Sequence, residues 1–205
     1  MDPVVVLRAA ALTVAAFLIG GIPWGVIVAR LSGGPDPRTI GSGRTGGANV
    51  MRAVGPRLAL VSGLLDMLKG TAAVLLARFL GAGVEVEVLA GLAAIVGHSR
   101  SPFLGFSGGR GVSAAFGAAL VLAPLASAVI LVAFVGVLAV SRYTSLASLV
   151  SAVVGGITLT VQVVATGLPP ALLVFAFGGA VLIWLFHLDN IGRLLRGEER
   201  KFGAK

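Results

Sequence analysis

Apolar residues run through this chain in long blocks, separated by short polar stretches. A helix needs about 20 apolar residues to cross roughly 30 Å of bilayer hydrocarbon. Val4–Ala29, Pro56–Leu80, Leu146–Thr166 and Ala171–Leu188 are long enough to span, while Val84–Gly97 is shorter. Gly111–Val140 runs for thirty residues with an interruption at Pro124, which is long for one crossing and tight for two. No fixed period repeats and no second domain is marked, so residues 1–205 read as a single membrane-embedded domain.

Composition turns apolar helices into a membrane protein. Apolar residues make up 57% of the chain and charged residues 12%, with a mean hydropathy of +1.03. A soluble domain of this size needs more charge to cover its surface, so a soluble enzyme, a disordered tail and a coiled coil are all excluded. Thirty glycines and a low aromatic content suit helical spans better than an outer-membrane barrel. Cysteine is absent, which removes disulfides and thiolate chemistry. The apolar run Met1–Gly25 is too long for a simple cleaved signal and reads as the start of the first span.

Charge then fixes the number of crossings. The net charge is +8, and in a membrane protein such an excess belongs to loops rather than to nucleic-acid binding. Arg30, Arg38, Arg44, Arg52 and Arg57 follow the first span, and Arg100, Arg110 and Arg142 follow later ones. The tail carries Arg193, Arg196, Arg200, Lys201 and Lys205, whereas the connection holding Glu85 and Glu87 has no basic residue. If Gly111–Val140 turns near Pro124 and crosses twice, every basic loop falls on one face. The positive-inside rule therefore predicts an all-α bundle of seven transmembrane helices, N-terminus outside and C-terminus cytoplasmic.

The polar residues gather in a few places. Gly41–Arg52 contains GxGxxG, but a span stands where a dinucleotide fold needs a strand, and Gly47 occupies the position of a P-loop lysine. Its glycines can instead turn backbone N–H groups toward an anion beside Arg44 and Arg52, or form a flexible loop whose arginines only fix topology. His98–Gly111 runs into an apolar helix, so Gly108, Gly109, Arg110 and Gly111 sit at a helix N-terminus suited to phosphate, while Phe103, Leu104 and Phe106 lie against the bilayer. Asp66 and Lys69 share one face inside the second span, either as a helix-locking ion pair or with Lys69 turned to an anionic ligand. Ser145 is placed to cap the following helix. His187, Asn190 and Arg193 form one polar stripe if the last helix continues past its span, which would also serve as an interfacial tail. Gly21 and Gly25 form a GxxxG that reads as close helix packing.

These groups share the cytoplasmic face, whereas a transporter places binding groups near the midplane. The expected site therefore handles a molecule with phosphate at one end and hydrocarbon at the other. Over essentially its full length the chain resembles the bacterial acyl-phosphate:glycerol-3-phosphate acyltransferases, the PlsY family. Gly41–Arg52 is similar to the family's GSGNxGATNxxR, Gly97–Gly111 to GHxxPxFxxFKGGKG and His187–Glu198 to HxxNIxRLxxGxE. Asp66–Gly70 is similar to DxxKG, and Tyr143–Ser148 to YTSLxS.

The resemblance implies a multi-pass enzyme of the bacterial cytoplasmic (inner) membrane, its active site facing the cytoplasm, acting in phospholipid synthesis. It would move a fatty acyl group from acyl phosphate to the 1-hydroxyl of sn-glycerol 3-phosphate, giving lysophosphatidic acid and phosphate. Ser42, His98, His187 and Asn190 are then expected to be catalytic. Gly43, Arg44, Asn49, Arg52, Lys69, Ser107, Gly108, Gly109, Arg110, Gly111, Ser145 and Arg193 are expected to bind the substrate phosphates. Acyl phosphate is already activated, so no acyl-enzyme is required, and either histidine is only one option for the base. The chain departs from the pattern at Arg44, at Gly47-Ala48, at Ser107 and at Arg110, and Arg44 is expected to restore the charge that Ser107 lacks.

No cofactor, metal or nucleic acid is expected, since the two histidines lack carboxylate or thiol neighbours at ligand spacing. The HxxxxD motif of other acyltransferases is missing, because Phe103 and Gly192 stand where its aspartate would be. The spaced aspartates of a CDP-alcohol phosphotransferase are missing too. Two alternatives remain open from sequence: an acyltransferase with another phosphorylated acceptor, or a non-catalytic anion or lipid-phosphate transporter. Oligomeric state and acyl-chain length are not set by these residues.

Overall fold

The computed structural model describes residues 2–203; Lys205, counted above with the basic tail, and Met1, the first residue of the expected domain, lie outside them. The described chain is helical: α1 Pro3–Gly21, α2 Trp24–Leu31, α3 Gly47–Val54, α4 Pro56–Phe79 and α5 Val84–Ser99 come first. Then follow α6 Val112–Leu122, α7 Pro124–Ser141, α8 Thr144–Thr166, α9 Ala171–Phe186 and α10 Leu188–Leu195. Among the described residues the sole β feature is an isolated antiparallel bridge between Ser101 and Ser107. Four helical segments are long and apolar enough to cross a membrane, or five if the bent α9–α10 pair is one span.

Proline and glycine place most of the boundaries. Pro124 starts α7 directly after α6, so the thirty-residue apolar block is two helices. Pro56 opens α4, where its missing N–H costs nothing. Pro23 interrupts the first apolar block, so the span expected over Val4–Ala29 is built from two helices, α1 and α2, joined at Ile22 and Pro23 and together long and apolar enough for one crossing. Lipid-length helices leave many large apolar side chains outward, among them Leu7, Val132, Val140 and Val164. That exposure is what a bilayer would cover.

Where helices touch, small residues let backbones meet. A Cβ on Gly97 would strike the Phe17 carbonyl and one on Gly20 the Ala94 carbonyl, which seals α1 on α5. Gly70 meets the Ala114 carbonyl and Gly117 the Met67 carbonyl, which seals α4 on α6. The Gly21/Gly25 pair does something else. Gly21 abuts the Pro102 ring of the α5–α6 loop, and Gly25 abuts both the Thr45 carbonyl and the Val50 side chain of α3. Gly117→Val is expected to wedge α4 from α6 and cost about 1–3 kcal/mol of stability. Thermal unfolding in detergent checks this, with the exposed Gly136→Val, whose Cβ meets nothing within 4 Å, as reference.

At one end of the bundle lie the turns Gly81–Gly83, Ala123–Pro124 and Gly167–Pro170. There Arg78 pairs with Glu87 at 2.7 Å and also reaches the Val121 carbonyl. The opposite end gathers the long loop before α4, the α5–α6 loop, the α7–α8 turn and α10.

Candidate active site

A cavity of about 380 Å³ opens at that second end, lined by Ser42, Arg44, Arg52, Arg110 and Arg193 together with both histidines. The long loop forms its first wall. Asp36 caps a single 3-10 turn over Pro37–Thr39, and its carboxylate holds Arg38 at 2.7 Å. Gly41 and Gly43 take positive φ to bend the chain back. Buried Asn49 then organises the turn. Its amide donates to the carbonyls of Pro37 (2.6 Å), Ile40 (3.0 Å) and Arg44 (2.8 Å), and its Oδ1 accepts the Ser42 N–H at 3.2 Å. Gly46 and Gly47, at the start of α3, line the cavity, and Arg52 lies one turn further along the same helix.

The α5–α6 loop forms the second wall. The Gly109 N–H donates to the His98 carbonyl at 3.1 Å, and a side chain at Gly109 would collide with His98 Nε2. Gly111 adopts the left-handed conformation as the N-cap of α6, where an L side chain would be strained. It thereby brings Val112 and Ser113, in the first turn of α6, to the cavity beside Arg110. His98 faces Asp66 at 3.5 Å, and Asp66 pairs with Lys69 at 2.8 Å. Lys69 also donates at 2.7 Å to the Ile22 carbonyl, which lies at the break before Pro23 and accepts the Trp24 N–H as well.

The C-terminal segment forms the third wall. The chain bends by 62° between α9 and α10, so the expected continuous stripe is broken at His187. His187 Nδ1 donates to the Ile183 carbonyl at 2.7 Å, which leaves Nε2 as its free lone pair. Asn190 and Arg193, one turn apart on α10, both donate to Glu199 at 2.7 Å. The Ser145 hydroxyl donates to the same carboxylate at 3.0 Å. Asp189 pairs with Arg110 at 2.7 Å and so ties α10 to the α6 entrance. Burial alone would raise the Asp189 carboxyl, but Arg110 and Arg193 hold it below the usual carboxylate range, so the tie is charged near neutrality.

The cavity therefore brings together Ser42, Arg44, Asn49, Arg52, His98, Arg110, Ser145, His187, Asn190 and Arg193 from four separated stretches of sequence. Gly43, Lys69, Ser107, Gly108, Gly109 and Gly111 do not line it. Lys69 is paired with Asp66 and bonded to the Ile22 carbonyl, and a carboxylate inside a span is costly unless it is paired in this way. Ser107 is exposed in the bridge opposite Ser101, whereas Arg44 lines the cavity together with Arg110. Gly43 shapes the turn, while Gly108, Gly109 and Gly111 shape the α6 entrance. Ser145 is not a cap: Tyr143 holds the N-cap position without a side-chain bond, and Ser145 reaches Glu199 instead.

Sequence reading missed Glu199, Asp189, Arg200 and Ser113. For Glu199 a signal existed. Counted from His187, the final glutamate of HxxNIxRLxxGxE falls on residue 199, not on Glu198, which lies outward with Arg196.

Charge in the cavity is unevenly balanced. Glu199 and Asp189 engage Arg193 and Arg110, whereas among the described residues no ion pair engages Arg44, Arg52 or Arg200. Those guanidinium groups are available to a polyanion. A second cavity of about 240 Å³ adjoins the first and shares Val112, Ser113, Phe134 and Ser148 with it. Apart from Ser151 its other walls are apolar or glycine, from Met67 and Phe116 to Leu159 and Phe175. A polar bowl opening into an apolar slot fits a molecule that is phosphate at one end and hydrocarbon at the other.

Comparison with known proteins agrees with this shape. Residues 10–197 match the family model described as glycerol-3-phosphate acyltransferase. A glycerol-3-phosphate acyltransferase of Rubrobacter xylanophilus is 44% identical over 195 residues, covering 95% of both chains. One from a Roseiflexus species is 42% identical over 94% of each. Among solved structures, the crystal structure of PlsY, an integral membrane glycerol 3-phosphate acyltransferase, in its glycerol 3-phosphate form is similar with a TM-score of 0.87. It is 34% identical, over 96% of both chains. The lysophosphatidic acid form of PlsY gives a TM-score of 0.85 at 33% identity, with the same coverage.

Proposed function

We infer our reading from one premise: this chain belongs to the glycerol-3-phosphate acyltransferase family, and it transfers an acyl group to glycerol 3-phosphate in phospholipid synthesis. We propose further that the donor is acyl phosphate and the acceptor atom the 1-hydroxyl. The joining of the arginine-lined bowl to the apolar slot carries this reading, because each substrate needs both an anion site and, for the donor, room for a hydrocarbon chain.

The chemistry asks little covalent work of the protein. The acceptor hydroxyl oxygen attacks the acyl carbonyl carbon, the bond from that carbon to the phosphate oxygen breaks, and inorganic phosphate leaves. The hydroxyl proton passes to a phosphate oxygen or to a histidine nitrogen. His187 Nε2 is oriented for that role by its Nδ1 bond. Asn190 Oδ1, buried and without a partner, is placed to accept from the acceptor hydroxyl. Arg44 and Arg52 hold one phosphate, and Arg110 with the first turn of α6 holds the other. Ser42 and Ser145 orient oxygens between them, with Ser42 fixed by the Asn49 turn. Holding two anions together and stabilising the departing charge is the main source of acceleration.

In the bilayer we place seven crossings, with α1 and α2 forming the first, α6 and α7 the fourth and fifth, and α9 the last. The N-terminus is then outside and the bowl faces the cytoplasm of a bacterial inner membrane, a placement supported by the basic loops that surround it. One domain, 1–205, carries the whole activity.

The test is phosphate release by the purified protein in lipid vesicles supplied with palmitoyl phosphate. Release is expected only when glycerol 3-phosphate is added, with lysophosphatidic acid as coproduct. Arg52→Ala is expected to raise KM for glycerol 3-phosphate about tenfold or more, the worth of a charge-assisted hydrogen bond. Release driven by a different acceptor, or anion flux across sealed vesicles without release, would replace this reading.

A further inference from the structure

The apolar slot has a direction and a feature that the reaction itself does not explain. Its shared residues, Val112, Ser113, Phe134 and Ser148, mark the mouth at the polar bowl. From Ser148 the slot follows α8 to Leu159, about 16 Å at 1.5 Å per residue, and it ends among Ala123, Leu159 and Phe175. On the α9 side the wall beyond Ile183 is small: Ala180, Gly179 and Ala176.

Gly179 is the informative position among these. It is buried and lines the slot, yet a Cβ placed on it meets no atom within 4 Å. Most of the other glycines inside these helices differ. Gly70, Gly97 and Gly117 are small because a neighbouring backbone lies against them, and Gly155 because Ile130 does. Glycine in a helix interior costs about 0.5–1 kcal/mol relative to alanine, and at 179 no packing partner requires it. The space beside it belongs to the slot. Gly179 lies about 12 Å along α9 from His187, measured at the helical rise, so it stands partway down the path of an extended chain.

We propose that Gly179 is a specificity-determining position for acyl-chain length: the missing side chain leaves the slot open past mid-depth, and the floor at Leu159 and Phe175 sets the limit. This rests on the reading that the acyl carbonyl sits in the bowl with its chain in the slot. A larger residue at 179 occupies the passage, so a short chain still fits and a long one is folded back toward the mouth.

The experiment is a graded series, Gly179→Ala, Gly179→Val and Gly179→Leu, with Gly136→Leu on the outward face of α7 as control. Each variant is assayed with octanoyl and palmitoyl phosphate at saturating glycerol 3-phosphate. The palmitoyl-to-octanoyl ratio of kcat/KM is expected to fall stepwise, reaching at least about tenfold in the leucine variant, since even one methylene in a fitted pocket is worth that much. KM for glycerol 3-phosphate and the thermal midpoint are expected to hold, because the substitution enters open space and strengthens the helix.

Equal loss with both donors, or an unchanged ratio in a folded Gly179→Leu protein, overturns the proposal. Binding of octanoyl and palmitoyl lysophosphatidic acid, read by thermal shift, separates the two readings. If wild-type protein ignores both acyl phosphates, the donor assignment falls. The length proposal then stands or falls on whether Gly179→Leu selectively weakens the palmitoyl product.

Discussion

Asp66→Leu is expected to cost about 3–5 kcal/mol of stability, the penalty for stranding a buried charge. Lys69 has a side chain only 4% exposed and Asp66 one 3% exposed, so neither ion is relieved by solvent when its partner is lost. Lys69 would keep only the Ile22 carbonyl. Removing both ions together, as Asp66→Leu/Lys69→Met, is expected to recover most of the loss, because a matched apolar pair strands nothing. Thermal unfolding of the two single variants and the double variant measures the coupling. Additive losses would show that the pair does not act as one unit. Activity separates the partners further: Asp66 lines the cavity and faces His98, whereas Lys69 does neither. Among folded variants, Asp66→Leu is therefore expected to lose more turnover than Lys69→Met.

Asn49→Ala is expected to lower kcat/KM about 100-fold, the scale at which misplacement of about 1 Å acts on a bound reaction. One amide ties Pro37, Ile40 and Arg44, and its oxygen holds the Ser42 backbone. Without it three buried or part-buried carbonyls lose a donor, and Ser42 and Arg44 leave the positions that line the bowl. Asn49→Asp keeps the acceptor but presents a carboxylate to the same carbonyls, so it is expected to fail as badly. Kinetics with glycerol 3-phosphate varied decide this, and an aspartate variant with more than half the native turnover would contradict the assigned role. Cavity lining alone does not predict this result, since it would rank Asn49 with the glycines around it.

Part of the site was legible because its physics is local. Gly41–Arg52, the run into α6 and the His187–Arg193 segment each contain residue types that suit phosphate at a helix or turn, and the structure puts all three around one cavity. Lys69 and Ser107 could not be sorted the same way. Both are polar and both lie in motifs, but one is claimed by a carbonyl 47 residues away and the other faces outward. Glu199 was overlooked because a glutamate in a charged tail reads as solvated until Ser145, Asn190 and Arg193 are seen to converge on it. The GxxxG at Gly21 and Gly25 does mark close packing, but only the folded chain shows that its partners are Pro102, Thr45 and Val50 of α3.

Sequence by itself determined the helices, their approximate ends and the membrane class, because apolar length and proline position act within a few residues of where they occur. It also pointed to the basic loops as the places suited to an anion, since arginine and glycine carry those capacities wherever they stand. Tertiary structure alone decided which arginines remain unpaired, which glycines are filled by a neighbour and which open onto a slot. Those outcomes depend on distances between residues far apart in the chain, and no local pattern encodes such a distance.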